Sequence, residues 1–226
     1  NINKIAGYNG VKIVEAPINH TLDMQFLKTV VLALTLVFAT TGERMEGLQV
    51  GDKAVDFNLK NVDGKMISLK TNKNAKGYIL VFTCNTCPYS VMYEDRIIAL
   101  HKKYAEQGYP VLAIQPNDPQ KSPGDSFENM QVRAKEKGFP FPYVMDETQE
   151  VTKTYGATNT PHVYVLNKTT GGDFKIEYIG AIDNNSRNAE AASKRYVEEA
   201  LDNLIGGGDV PITTTKAIGC TIKWGE

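Results

Sequence analysis

Two cysteines two residues apart, Cys84 and Cys87, are the side chains best placed to do chemistry. They follow the apolar run Tyr78 to Phe82, rich in strand formers, and precede Pro88 and a stretch of helical periodicity. On a first helical turn this spacing brings both sulfurs within bonding reach. A helix N-terminus also offers unpaired N–H groups and partial positive charge, which predicts a thiolate at Cys84. The thiolate is the attacking species in disulfide exchange, so the expected chemistry is reversible thiol–disulfide exchange. The same spacing also supplies half of a zinc site, but His20, His101 and His162 form no second close pair. A structural disulfide is the other plain reading of the pair. Copper(I) held by Cys84, Cys87 and His162 is a further alternative, because soft thiolates suit that ion.

A second feature is Thr160-Pro161, just before the apolar run Val163 to Leu166. A proline entering a central strand cannot donate to the ladder. A cis peptide at a close approach to the cysteines would account for it. The third cysteine, Cys220, stands alone near the C-terminus, where its default role is that of a small buried hydrophobe.

The elements that must position these residues are legible from their periodicity. Phe57-Asn58-Leu59 and Met66 to Leu69 flank Asp63-Gly64, a hairpin signal. Tyr78 to Phe82 and Val111 to Ile114 read as buried central strands. Tyr93, Ile97, Leu100 and Tyr104 form one helical face, and Gly108 closes that segment. Phe127, Met130 and Ala134 predict a second helix closed by Gly138. A short third helix is expected to start at Asp146, with Gln149 in capping-box spacing, and to stop at Gly156. Phe174, Ile176 and Tyr178 alternate with charged residues beyond Gly171-Gly172, which predicts a closing hairpin. A last helix runs through Tyr196 to Ile205 and ends at Gly206-Gly207-Gly208, and the tail 209–226 reads as irregular. Strands alternating with helices in this order predict an α/β sandwich with a mixed sheet.

Several of these segments together resemble one known family. They are Cys84-Asn85-Thr86-Cys87-Pro88-Tyr89, Asn117-Asp118, Phe141-Pro142-Tyr143, Asp146-Glu147-Thr148-Gln149, Thr160-Pro161 and Gly219-Cys220-Thr221-Ile222-Lys223-Trp224. As an ordered set they are similar to the peroxiredoxin-like, redoxin-domain proteins of the alkyl hydroperoxide reductase/thiol-specific antioxidant group, in the thioredoxin superfamily. The likeness runs from about Val50 to Glu226. It implies a thioredoxin-like three-layer α/β sandwich, a mixed central sheet flanked by helices with an N-terminal hairpin extension. It also implies a redox-active Cys84/Cys87 pair, with Cys84 as nucleophile and Cys87 as resolving thiol. Thr160 and a cis-Pro161 would form the backbone platform beside them.

Function then follows as thiol–disulfide oxidoreduction in antioxidant or redox homeostasis, with protein thiols and disulfides or a reducing protein as partners and with no cofactor or metal. The alternative is a peroxiredoxin-like peroxidase using Cys87. Tyr78 stands where thioredoxins usually carry a buried acid, and Cys84 and Leu80 fall at the Thr and Pro positions of typical peroxiredoxins. The tail resemblance raises a second resolving role for Cys220.

Size and charge bound the remaining possibilities. The chain has 226 residues, a net charge of -1 and 42% apolar residues, enough for one main domain with extensions. That balance gives no electrostatic reason to bind nucleic acid or an anionic membrane surface. From Met24 a short basic lead, an apolar run from Thr29 to Ala39 and then small polar residues form a secretory signal pattern, too short for a bilayer span of about 20 residues. The expected organisation is a non-functional leader over 1–23, a signal-like segment over 24–41, a thioredoxin-like domain over 48–208 and a tail over 209–226. An exported location, periplasmic or extracellular, follows from Met24 to Ala39, with no stable membrane span after signal removal.

Overall fold

The computed structural model describes residues 47–226; the leader 1–23 and the signal-like segment 24–41 lie outside the described residues. Strand β3 (Gly77–Phe82) is buried at all six positions and β4 (Val111–Gln115) at all five, as unbroken apolar runs require when both sheet faces are covered. Around them lie β1 (Leu59–Asn61), β2 (Met66–Ile67), β5 (Tyr143–Met145), β7 (His162–Lys168) and β8 (Phe174–Gly180). The sheet order is β2-β1-β5-β4-β3-β7-β8. β3 pairs parallel with β4, and β4 with β5; β7 returns antiparallel against β3 and carries β8 as a hairpin. The expected Asp63-Gly64 hairpin forms as β1–β2 and joins the sheet through β5.

Side-chain alternation along β3 sorts the core into two layers. Ile79 and Val81 face helix α1 (Pro88–Tyr104), α2 (Phe127–Lys137) and α4 (Tyr196–Ile205), meeting Tyr93, Ile97, Met130, Val197 and Leu201. Tyr78, Leu80 and Phe82 face the other side, packing with Tyr155 of α3 (Glu150–Tyr155) and with Ala54 and Phe57 of the entering segment. The result is the three-layer, thioredoxin-like α/β sandwich that the sequence implies.

Two local expectations are corrected. The capping box at Asp146 does not form: Asp146 instead accepts from the Thr152 N–H and hydroxyl at 2.7 and 2.6 Å. Gln149 takes a left-handed backbone (φ 59°), directly before Glu150, and sends its amide elsewhere. The tail is not wholly irregular. Cys220–Thr221 forms β9, antiparallel to β6 (Asn159–Thr160), pairing Thr160 with Cys220.

Candidate active site

Strand β3 ends at Phe82, and the cysteine loop crosses to α1 in the residues that follow. Cys87, not Cys84, is the N-cap of α1, and Pro88 takes the first helical position, where its missing N–H costs nothing. The loop closes around Asp125, which is fully buried at the end of a short 3₁₀ turn, Pro123–Asp125. Its Oδ1 accepts the backbone N–H groups of Asn85 and Thr86 at 2.8 and 3.1 Å. Its Oδ2 accepts from the Thr86 and Ser122 hydroxyls and the Asn117 amide, at 2.9, 2.7 and 2.8 Å. The hydroxyl of fully buried Tyr143 donates to Asn85 Oδ1 at 3.0 Å. With two loop N–H groups and three side-chain donors converging on it, one carboxylate sets the shape of the loop.

Cys84 is a thiol with 3% exposure, 3.3 Å from Thr160 Oγ1 and 3.9 Å from Ser90 Oγ. Burial pushes its acidity down, raising its pKa, and the Asp125 charge adds to this; the Thr160 hydroxyl and the Cys87 backbone N–H act the other way. Burial therefore works against the thiolate expected at Cys84. The physical reason is placement: Cys84 lies in the buried loop just past the strand, and the helix terminus falls at Cys87.

Cys87 is bonded to Cys220 across 133 residues, with a Cα–Cα separation of 5.9 Å. The Cys220 N–H points at Cys87 Sγ at 3.4 Å, and the Thr160 carbonyl oxygen lies 3.2 Å from the same sulfur. The Thr160–Pro161 peptide is cis, as the sequence anticipates. Gly219 lies so close to that peptide that a Cβ there would overlap the Thr160 carbonyl. Cys84, Cys87, Thr160 and Pro161 thus meet in one place, joined by Cys220.

Beyond Cys220 the tail is held by residues the sequence offers without a role. The side-chain carbonyl oxygen of Asn117 accepts the Lys223 N–H at 2.9 Å, and the Asp118 N–H donates to the Lys223 carbonyl at 2.8 Å. Gln149 donates to the same carbonyl at 2.9 Å and accepts the Gly225 N–H at 2.7 Å. Ile222 is buried among the core residues on that side. Asn117 touches both Asp125 and Lys223, so one side chain links the cysteine loop to the tail. Asp125 is not evident from sequence. Its only signal is an acid in a Pro-Gly-Asp turn, and such turns are common.

His162 does not join the sulfurs as a copper ligand. Its Nδ1 accepts the Thr158 N–H at 3.4 Å and its ring packs on Tyr164. Among the described residues no group of three His, Cys, Asp or Glu side chains is arranged to hold a metal. Burial lowers the His162 pKa from 6.5 to about 4. An unfolded chain takes up this proton below pH 6.5 and the folded one does not, so stability contributed above pH 6.5 is lost on acidification. Each pH unit between 6.5 and 4 removes up to about 1.4 kcal/mol, so the loss across the window is about 3 kcal/mol. Urea titrations of His162→Phe should show a correspondingly smaller loss over that window; an unchanged pH slope would contradict the assignment.

Comparison with known proteins agrees with this geometry. Residues 50–172 match the AhpC/TSA family model. An uncharacterized conserved protein from Geobacillus kaustophilus is 37% identical, with a TM-score of 0.72 over 78% of this chain and 93% of that one. A hypothetical protein from Sinorhizobium meliloti 1021 is 30% identical, with a TM-score of 0.72 over 79% of this chain and 96% of its own. The thiol-disulfide oxidoreductase ResA of Geobacillus thermodenitrificans is 26% identical over 151 residues, 63% of this chain and 80% of that protein. With more than half of its length matched, and with a cysteine loop, a cis-proline and a mixed sheet arranged as described, the chain belongs to the AhpC/TSA family.

Proposed function

We propose that the protein catalyses thiol–disulfide exchange with protein partners, and that Cys87 is the sulfur shared by two alternative disulfides. The observation that carries this is the Cys87–Cys220 bond beside a thiol at Cys84, at the start of a helix and against the Thr160–Pro161 peptide. Helix polarity stabilises a thiolate at the N-cap, so Cys87 is both a competent attacking group and a good leaving group. Cys84 supplies the second thiol. Its thiolate attacks Cys87 Sγ, the Cys84–Cys87 bond forms, and Cys220 leaves as a thiolate that takes up a proton. No external oxidant is needed for this internal step. Thr160 contacts both sulfurs through its hydroxyl and carbonyl, and with Pro161 forms the wall of the site.

The ResA relatives carry the name of the same reaction class, which supports the reading. The signal-like segment Met24 to Ala39 supports an exported location, and oxidising compartments are where disulfides persist. Redox homeostasis or antioxidant defence outside the cytoplasm is the role proposed on these grounds.

Insulin reduction driven by a small dithiol tests the function. The wild-type chain should accelerate it, and Cys84→Ser should lower the acceleration at least about tenfold by removing the internal attacking thiol. Because burial raises the Cys84 pKa, the Cys84-dependent rate should climb about tenfold per pH unit between about pH 6 and 8, with the thiolate fraction. A full rate in Cys84→Ser, or a flat pH profile in the wild type, would count against the role given to Cys84.

A further inference from the structure

Cys84 must lose its proton before it can attack Cys87, yet it keeps 3% exposure, and burial opposes a charge on its sulfur. Only hydrogen-bond donors that reach Sγ can offset that cost. The Asn85 and Thr86 N–H groups do not serve, because both are bonded to the Asp125 carboxylate. The Cys87 N–H and two side-chain hydroxyls remain. Thr160 Oγ1 lies 3.3 Å from Cys84 Sγ, and Ser90 Oγ lies 3.9 Å from it.

Ser90 and Thr160 are both fully buried, so water cannot satisfy their hydroxyls. A serine inside a helix ordinarily turns its hydroxyl to solvent or to a carbonyl one turn back. Ser90 lies in the first turn of α1, and among the described residues its hydroxyl has one partner, the Cys84 sulfur. The Thr160 hydroxyl, carried by β6, likewise has that sulfur alone. As a thiol, Cys84 has one proton to give and its sulfur is a weak acceptor, so the two hydroxyls are poorly satisfied. As a thiolate it accepts from both at once. The pocket therefore fits the charged sulfur better than the neutral one, which is the condition for speeding its attack.

The charged and titratable groups around the sulfur do not supply that help. Asp125, on the 3₁₀ turn, opposes a second negative charge. Tyr143 of β5 is buried and gives its hydroxyl to Asn85. Glu94 of α1 is occupied by Arg133 and Lys137 of α2, at 2.6 and 3.2 Å. His162 of β7 is kept neutral by burial and accepts the Thr158 N–H. Strands β6 and β9 bring the disulfide and no charged side chain.

Resting on the exchange function proposed above, we propose that Ser90 is a further catalytic residue, whose hydroxyl forms with that of Thr160 a two-donor cradle for the charge on Cys84 Sγ. The Cys84 proton passes to solvent, and both hydroxyls donate to the thiolate. The thiolate attacks Cys87 Sγ, the Cys84–Cys87 bond forms and the Cys87–Cys220 bond breaks. The charge leaves on Cys220, which is partly exposed and takes up a proton from solvent. Neither hydroxyl gains or loses a proton, and the number of disulfides is unchanged.

The test incubates the oxidised full chain with iodoacetamide and no reductant, across a range of about pH 6 to 10. Peptide mapping counts chains with alkylated Cys220 and a Cys84–Cys87 bond, so the label reports internal attack by Cys84. Ser90→Ala and Thr160→Val should each lower the labelling rate about tenfold at about pH 8 and displace the pH profile upward by about one unit. Thr160→Ser, which keeps the hydroxyl, should stay within about twofold of the wild type. A profile that keeps its position in Ser90→Ala, or a rate lowered equally at every pH, overturns the role of Ser90 and leaves the exchange function standing. Wild-type chain that gains no Cys220 label at any pH overturns the internal exchange itself.

Discussion

Cys87→Ser is expected to abolish catalysed insulin reduction, lowering the rate by about a thousandfold or more, to the level of the free dithiol. Both disulfides available to the site contain this sulfur: the observed bond to Cys220 and the exchange product with Cys84. A hydroxyl can neither attack a disulfide nor be expelled from one, so no route through the site survives. Cys84→Ser and Cys220→Ser differ in kind, because each leaves Cys87 with one partner and a partial rate. The contrast among the three variants is therefore the informative result. Cys87 touches the Thr160 carbonyl and lies beneath the tail, so urea denaturation of the reduced proteins must show that Cys87→Ser remains folded. A variant that folds and retains more than about a tenth of the wild-type rate would mean that another sulfur carries the exchange.

The second large effect concerns Asp125→Ala. The carboxylate is fully buried and accepts five hydrogen bonds, two from loop N–H groups and three from side chains. Its removal leaves those donors without their partner in a buried site, which costs about 3 to 5 kcal/mol. The fall in urea midpoint should be accompanied by loosening of both the cysteine loop and the tail, because Asn117 loses its anchor while still gripping Lys223. A loss below about 1 kcal/mol would show that the network is dispensable. Asp125→Asn keeps the size of the side chain but turns an amide towards the same donors, so it should recover only part of the loss.

What the sequence makes legible follows the range of the interactions. Period-2 and continuous apolar runs locate β3, β4, β7 and β8, and the face Tyr93, Ile97, Leu100 and Tyr104 locates α1, because these signals are local and repeat over many residues. Gly138 and Gly156 mark helix ends for the same reason, each in a left-handed conformation that glycine adopts without penalty. Thr160-Pro161 is visible because a proline at a strand entrance is hard to accommodate otherwise.

Asp125 reaches the cysteine loop across about forty positions of chain, and Gln149 reaches the tail across more than seventy. No periodicity encodes contacts of that span. The spacing of Gln149 from Asp146 fits a capping box, but tertiary contacts to Lys223 and Gly225 outweigh that local option. The helix N-terminus lies at Cys87 rather than at Cys84, whose thiol is made less acidic by burial. A displacement of three residues decides whether a sulfur meets the helix N-terminus or the buried loop that follows the strand.

The measurement closest to the central claim is disulfide mapping of the chain equilibrated with oxidised and reduced glutathione over a range of ratios. Peptide mass spectrometry should find Cys87 in every internal disulfide, bonded to Cys220 in the oxidised resting form and to Cys84 during exchange. Cys84 joined to Cys220, or Cys87 recovered as a free thiol throughout, would contradict the account.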